Sequence, residues 1–501
     1  MAEGTPRRRW LLATLLLLPP AAWILVFHSG HPSPVPRARG YNLIIINIDA
    51  LRADHLGCHG YPKPTTPFID RLAREGILFQ NARSNSSYTR ESVTTLFTGS
   101  LPSGGNIPGW RAAPGPDQRT LAEIFSGEGY ATALLCNNTF ALRDPAFARG
   151  FETTWFNPLD QLSQNAPALT ARAGDLIQKW AGEQRPFMLY LHYLDPHAPY
   201  QPPRSFFDRM SAPYLEKVLP VYDSLRQHCA RLIRQGLGPG EIFFENLVGR
   251  YDGEIAHVDA SVGRLFQILT EAGCRDRTLV VITADHGEEF LEHDYVEHGW
   301  TLYEESLRIP LIFWAPSLFQ PQRVGEAVST LDIFTAVTAL WGIESESSPF
   351  RGRPLFTGSS GLLQARPDPG PILGELLVQH RSVIRSVIRG KWKYLAAQRW
   401  LPPEDRPQAL GEGETIEGST NRHTDIWGPV IHEELYDLEH DPGEETNLIG
   451  RYPEIQRQLY RIYLDYRRFC RDRGYHKIPA LSPPGSLDPA EKEKLKSLGY
   501  M

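Results

Sequence analysis

The stretch "NLIIINIDA", Asn42 to Ala50, is a run of β-branched and apolar residues, broken once by Asn47, that leads straight into a carboxylate. A strand with one wet face alternates polar and apolar side chains. A run like this one is buried on both faces, as in a parallel sheet covered by helices. Asp49 then sits just past the carboxyl end of the strand, where open parallel sheets hold their working residues.

Runs of the same kind recur as "ATALLCN" (Ala131–Asn137), "PFMLYLHYLD" (Pro186–Asp195), "TLVVITAD" (Thr278–Asp285) and "IPLIFWA" (Ile309–Ala315). Helical patterns lie among them. In one, Thr66 caps, Pro67 opens the first turn, Phe68, Ile69, Leu72 and Ala73 share a face, and Gly76 ends it. In another, Ile255, Val258, Val262, Leu265, Phe266 and Leu269 share a face. Strands alternating with helices specify an α/β fold with a mostly parallel central sheet flanked by helices. The pattern changes near residue 361: "RSVIRSVIRGKWKYLA" (Arg381–Ala396) reads as two strands turning at Gly390-Lys391, and "PEIQRQLYRIYLDYRRF" (Pro453–Phe469) as an amphipathic helix. The expected organisation is a main domain over 41–360 and a smaller C-terminal antiparallel α+β subdomain over 361–501.

With 501 residues, 41% hydrophobic and 22% charged, the chain can bury a large core, and disorder is excluded as its general state. A net charge of -6 provides no electrostatic footprint for nucleic acid. Five cysteines without a C-x-x-C pair indicate neither a zinc ribbon nor a dense disulfide scaffold. At the N-terminus, Arg7, Arg8 and Arg9 precede an uncharged apolar run from Trp10 to Phe27. At about 1.5 Å per helical residue this run reaches roughly 27 Å, enough for a thin bilayer core. Residues 1–27 are therefore a signal-anchor or a cleaved signal peptide. The bulky Trp23, Ile24, Leu25 and Phe27 leave no small-residue cleavage site, which favours the anchor. Residues 28–40, rich in proline, read as a tether. Either reading keeps the arginines inside and exports the rest to a periplasmic, extracellular or lumenal space, membrane-anchored or secreted.

Three polar clusters follow expected strands: "NIDALRADHLGCHGY" with Asp49, "HYLDPHAPY" with His192, Asp195 and His197, and "TADHGEEFLEHDYVEHG" with Asp285, His286, His293 and His298. Asp49, Asp285 and His286 supply two carboxylates and an imidazole from different strand ends, a set suited to one divalent ion: calcium, manganese, magnesium or zinc. His293 and Asp294 read as solvated loop residues, and His55 and His59 as structural.

These clusters, with "TTPFIDRLAREGILFQNA", "LFTGSLPS", "YDGEIAHVDASVGRL", "YEESLRIPLIF" and "ELYDLEHDPGEETNL" in this order, make the chain resemble the sulfatase family of the alkaline phosphatase superfamily from Tyr41 to Met501. The resemblance implies an alkaline phosphatase-like fold and metal-dependent cleavage of sulfate or phosphate esters. By the same resemblance Asp49, Asp285 and His286 hold the metal, His197 binds substrate, and His298 assists the leaving group. Ala50 replaces the family's second early aspartate.

Sulfatases proper carry C-x-P-S-R-x-x-L-L-T-G, with the first residue, cysteine or serine, oxidised to formylglycine. Aligned on Leu96-Phe97-Thr98-Gly99, that residue is Thr89, and Glu91 and Val93 stand for the proline and arginine. Threonine cannot become formylglycine. The family's basic pair falls on Asn137 and Thr139, so the anion pocket differs. Superfamily relatives that handle phosphate esters use an unmodified threonine or serine here. Thr89 is accordingly the expected nucleophile and fourth metal ligand, Arg90 and Asn137 the expected substrate contacts, and His298 and His197 the assisting groups. An anionic ester, carried by a small molecule, a glycan or a lipid, is the expected substrate, with a phosphoester favoured on chemistry. A cell-surface phospho-group transferase and an inactive binding protein that keeps the fold are the alternatives.

Overall fold

The computed structural model describes residues 38–102, 112–157, 165–210, 212, 242–343, 350, 352–357, 364–365, 370–378, 382–400 and 427–472. The apolar run from Trp10 to Phe27, the tether as far as residue 37, and the C-terminal segment from 473 lie outside the described residues. Among the described residues, no helix is long and apolar enough to cross a membrane.

The main sheet has eight strands: β1 (Asn42–Ile48), β2 (Ile77–Arg83), β3 (Ala131–Cys136), β4 (Thr153–Phe156), β5 (Phe187–Tyr193), β6 (Thr278–Thr283), β9 (Leu311–Trp314) and β10 (Gln322–Ser329), in the order β10-β2-β9-β6-β1-β5-β3-β4. The numbers β7 (Glu289–Phe290) and β8 (Val296–Glu297) belong to a small hairpin between β6 and β9. β1 lies near the centre, parallel to β5 on one side and β6 on the other. Every residue of β1 is buried, as its run of isoleucines requires, and each buried isoleucine contributes roughly 2 kcal/mol relative to exposure. The one reversal in this sheet is β9, expected here as another strand of the parallel set; it runs antiparallel to both β6 and β2.

The longer helices are α1 (Pro67–Glu75), α2 (Thr89–Thr98), α3 (Leu121–Gly127), α4 (Ala166–Gly182), α5 (Ile242–Glu271), α6 (Thr330–Leu340) and α7 (Pro453–Asp472). The periodic face read from Ile255 to Leu269 is buried along α5. The start of α1 differs from expectation in its chemistry. Thr66 is the N-cap residue but makes no capping bond, since its hydroxyl donates to Asp70 at 2.9 Å. The free N–H groups of Phe68 and Ile69 are taken instead by the Asp259 carboxylate of α5, at 3.0 and 2.8 Å. Tertiary structure supplies the cap that the local sequence advertised.

The second sheet is antiparallel and four-stranded, β11 (Ile372–Val378), β12 (Ser382–Arg389), β13 (Trp392–Trp400) and β14 (Trp427–Asp437), paired in chain order. Gly390, at φ +60°, makes the expected turn between β12 and β13. Helix α7 buries Leu459, Tyr463 and Tyr466 against Val387, Tyr394, Ala396 and Leu435 of this sheet. The two sheets meet through charge as well as apolar packing. Lys393 of β13 is fully buried between Glu304 (3.2 Å) and Glu444 (2.8 Å), and Glu304 also pairs with Arg83 of β2 at 2.7 Å. Residues 38–40, read from sequence as the end of the tether, already belong to the folded body: Ala38 is buried and its N–H donates to the Leu340 carbonyl.

Because β1, β3, β5 and β6 are neighbours and parallel, their carboxyl ends open on the same edge. Asp49, Asn137, Asn138, His197, Asp285 and His286 all lie within a few residues of those ends.

Candidate active site and metal centre

The turn after β1 is set by Ala50, one of the few non-glycine residues in the left-handed region, at φ +57°. That conformation directs the Ala50 N–H onto Asp285 Oδ1 at 3.3 Å, while the Tyr251 hydroxyl of α5 holds the Ala50 carbonyl at 2.7 Å. Asp285 Oδ1 also accepts the His286 N–H at 3.1 Å. One oxygen of each carboxylate is thereby fixed by the protein. Asp49 Oδ2 accepts Asn138 Nδ2 at 2.7 Å and His192 Nε2 at 3.0 Å. His192 Nδ1 faces the Tyr190 hydroxyl and the Asn47 amide, at 3.1 and 3.2 Å, so its proton resides on Nε2 and is donated to Asp49.

The other two oxygens, Asp49 Oδ1 and Asp285 Oδ2, are buried and accept no hydrogen bond. They lie 3.5 and 3.4 Å from His286 Nε2. His286 Nδ1 donates to the Gly287 carbonyl at 2.9 Å, which leaves the lone pair on Nε2, pointing at the same spot. Thr89 Oγ1 completes the group at 3.1 Å from His286 Nε2. Ligand atoms of Asp49, Asp285 and His286 lie within 4.8 Å of one another in a fully buried setting. Leaving two carboxylate oxygens without partners in a dry interior is costly, and a divalent cation there would remove that cost, so the donor set fits one.

The electrostatics agree. Burial works to raise the Asp49 carboxyl, but the imidazoles of His197, His192 and His286 outweigh it and hold the group well below the ordinary carboxylate range. Burial and the Asp49 charge push Asp285 the other way, upward. Two like charges held this close call for a cation between them.

Thr89 is the first residue of α2, and the N-cap position belongs to Tyr88. The Thr89 hydroxyl is therefore not a helix cap; it turns toward His286. The first-turn N–H groups and positive dipole end of a ten-residue helix lie at the same place, ready for an anion. Two further imidazoles border the group: the His298 ring is 4.1 Å from that of His286, and the His197 ring is 4.8 Å from that of His298. His197 Nδ1 bonds the Ala198 carbonyl at 2.7 Å, and His298 Nδ1 lies 2.8 Å from Glu288 Oε1. Burial lowers the His197 pKa, against the opposing pull of the Asp49 charge.

One expected substrate contact, Arg90, is corrected. The Arg90 guanidinium holds the Ala112 and Ala141 carbonyls at 2.9 and 2.8 Å and Asp144 at 2.8 Å, and lies over the Phe147 ring. It staples α2 to the following segments instead of reaching toward Thr89. Arg90→Ala should accordingly cost about 2–3 kcal/mol of stability, read by denaturant melts, while leaving KM for an ester within about 3-fold. A large KM change at unaltered stability would restore the substrate role. For Asn137, the side chain is buried with neither polar atom hydrogen-bonded, and it is the next residue, Asn138, that grips Asp49.

Sequence reasoning assigned no role to His192, Asn138, Glu288 or Tyr200. The signal for His192 was its place at the end of a buried strand, a poor position for a polar side chain without a partner. Nothing local distinguished Asn138 from Asn137. His55 is structural as expected, 2.7 Å from Asp252 in an aromatic cluster with Tyr61 and Tyr251. His293 is not a solvated loop residue: it pairs with Glu305, bonds the Glu444 carbonyl at 3.3 Å and stacks on Tyr303 with ring centroids 3.7 Å apart. Burial opposes its charge, yet Glu305 pushes its pKa up to about 9. A raised folded-state pKa contributes stability that is complete below the unfolded value of 6.5 and lost as pH rises through about 9. Thermal melts should show His293→Gln losing Tm relative to wild type near neutrality and closing the gap above about pH 9. A gap constant with pH would rule this out.

Comparison with known proteins gives a consistent picture. A protein-family model described as Sulfatase matches residues 41–343. The uncharacterized sulfatase YidJ of Escherichia coli (strain K12) is 23% identical over 494 residues, covering 90% of this chain and 91% of the relative. Among solved structures, BT4656, in complex with its substrate D-glucosamine-2-N,6-O-disulfate, superposes with a TM-score of 0.65 at 17% identity over 88% of this chain and 100% of that one. The phosphonate monoester hydrolase of Agrobacterium radiobacter superposes with a TM-score of 0.57 at 18% identity, over 86% and 96% of the respective chains.

Proposed function

The chain belongs to the sulfatase family, and from that premise we propose that it is a metal-dependent hydrolase of anionic esters in which the unmodified Thr89 hydroxyl is the nucleophile. The observation that carries this reading is the convergence of Thr89 Oγ1, His286 Nε2 and the unpartnered oxygens of Asp49 and Asp285 at one buried point. A bound divalent ion would supply positive charge beside Thr89 Oγ1 and lower its pKa. The two carboxylates suit calcium, magnesium and manganese, and the imidazole suits zinc.

The protein's own residues do the rest. Thr89 gives up its hydroxyl proton to solvent water as its oxygen attacks the central atom of the ester, the bond to the leaving oxygen breaks, and His298 delivers a proton from Nε2 to that oxygen. The start of α2 and His197 face the nonbridging oxygens. Water, giving a proton to His298 as it attacks the central atom, then breaks the bond to Thr89, whose oxygen regains a proton from solvent.

The relatives include a protein solved with a sulfated sugar and a phosphonate monoester hydrolase, so both ester classes are open to this fold. Chemistry favours phosphorus. A formylglycine hydrate expels sulfate by collapsing to an aldehyde, a route closed to threonine, whereas a phosphothreonine is hydrolysed by attack of water at phosphorus. The substrate is a phosphoester of a small molecule, glycan or lipid. The Arg7–Phe27 segment supports export with the protein held at a membrane, which protease protection of intact cells or vesicles would test.

The test of the function is mass spectrometry of the peptide spanning residues 86–99, after incubation with metal and a panel of aryl phosphate, phosphodiester and sulfate esters. A phosphate mass on Thr89 is the expected result. Sulfate turnover without an adduct would overturn the phosphoester assignment, and bound metal without turnover of any ester would favour a binding protein.

A further inference from the structure

Glu288 lies two residues past His286 and is fully buried. Its Oε1 is 2.8 Å from His298 Nδ1, and its Oε2 accepts the Tyr200 hydroxyl at 2.9 Å. Its main chain is held on both sides: the N–H bonds the Glu305 carbonyl at 3.1 Å, and the carbonyl accepts Arg52 Nη1 at 3.0 Å. Both carboxylate oxygens and both main-chain groups of Glu288 are thus engaged.

We infer that Glu288 is the positioning residue of His298, fixing the imidazole so that Nε2 alone serves the leaving oxygen. The inference rests on the reading of His298 given above. His298 needs such a partner because its backbone supplies little restraint: it stands between Glu297 at φ +69° and Gly299 at φ +80°, outside regular structure. Gly299 is required there for a second reason, since a Cβ would come within 3.0 Å of the Tyr88 ring. A histidine on such a turn has two ring nitrogens and a rotatable Cα–Cβ bond. With Nδ1 taken by Glu288, and the ring packed against the His286 and His197 imidazoles, one orientation remains. Tyr200 acts one step further out: by occupying Oε2 it keeps Oε1 for His298.

Leaving-group dependence separates positioning of a proton donor from support of the fold. A nitrophenolate departs without a proton, whereas a benzyl alkoxide needs one. Glu288→Gln, His298→Ala, Thr89→Ala and the Glu288→Gln/His298→Ala double variant of the full chain would be assayed on 4-nitrophenyl and benzyl phosphate and on the corresponding sulfates, with metal content measured in parallel. Glu288→Gln is expected to lower kcat on the benzyl ester about 10²-fold and on the nitrophenyl ester less than about 3-fold, with KM little changed. The double variant should be no slower than His298→Ala alone. Equal loss on both leaving groups, no loss on either, or additive losses would overturn the proposal. Tyr200→Phe provides the test if Glu288→Gln does not fold: the same split at smaller amplitude supports the positioning role, and its absence overturns it. Thr89→Ala tells the two readings apart. If that variant keeps its turnover, the underlying mechanism fails and the positioning role with it. If it loses turnover while Glu288→Gln shows no split, only the positioning role fails.

Discussion

Thr89→Ala is expected to lower kcat/KM for any ester the protein turns over by about 10⁴-fold or more, with the fold and the metal retained. The hydroxyl is at the first position of α2 without capping it, so its removal costs the helix little, and alanine is a good residue in that first turn. Asp49, Asp285 and His286 keep their geometry, because their protein contacts run through Ala50, Asn138, His192 and Gly287. Thr89→Ser preserves the oxygen and loses only the methyl group that limits its rotamers, so it should retain activity within about two orders of magnitude. The pair separates chemistry from structure. If Ala and Ser are equally impaired, Thr89 is not the nucleophile; if Ala matches wild type, the mechanism is wrong from its first step.

The second large effect belongs to Asp285→Asn, and it carries two opposite signs. Removing one carboxylate from the donor set should reduce bound divalent metal and lower turnover by about 10³-fold, the several kcal/mol that a cation supplies at the reacting oxygen. The metal-free protein should become more stable. Burial and Asp49 raise the Asp285 pKa, so the folded state disfavours its charged form. Such a group contributes destabilisation that appears as pH rises above the unfolded carboxylate value, and asparagine abolishes it. In the presence of EDTA at neutral pH, the variant should therefore melt higher than wild type, and added metal should raise Tm only for wild type. A variant that melts lower than wild type in EDTA would show that Asp285 is held by favourable contacts, and that these residues are structural before they are ligands.

The fold was legible where burial writes itself into composition. β1, β3, β5 and β6 are fully buried, mostly apolar runs because both faces are covered, and Asp49, Asn137, His197 and Asp285 follow within four residues of their carboxyl ends. Other elements left a weaker trace. β2 ("ILFQNAR"), β4 ("TTWF") and β10 ("QRVGEAVS") carry polar or exposed residues because they lie toward the sheet edges or lose their cover partway along. The reversal of β9 has no local signature, since an apolar strand reads the same in either direction.

The composition of the site is written in the chain. An Asp at one strand end, an Asp-His pair at another, and a threonine ahead of "LFTG" are properties of the chain, and the parallel sheet that unbroken strands impose brings such ends to one edge. Which side chains face inward, and what they hold, follows from packing between distant segments. That packing turned Arg90 away to Asp144 and two carbonyls, set Asn138 rather than Asn137 on Asp49, placed His192 beneath the same carboxylate and put Glu288 behind His298. The physical reason is that hydrogen-bonding partners here are separated by 89 residues between Asn138 and Asp49 and by 143 between His192 and Asp49. Periodicity and spacing act over a few turns of chain, and whether a buried polar group finds its partner depends on what packing brings within 3 Å or so of it.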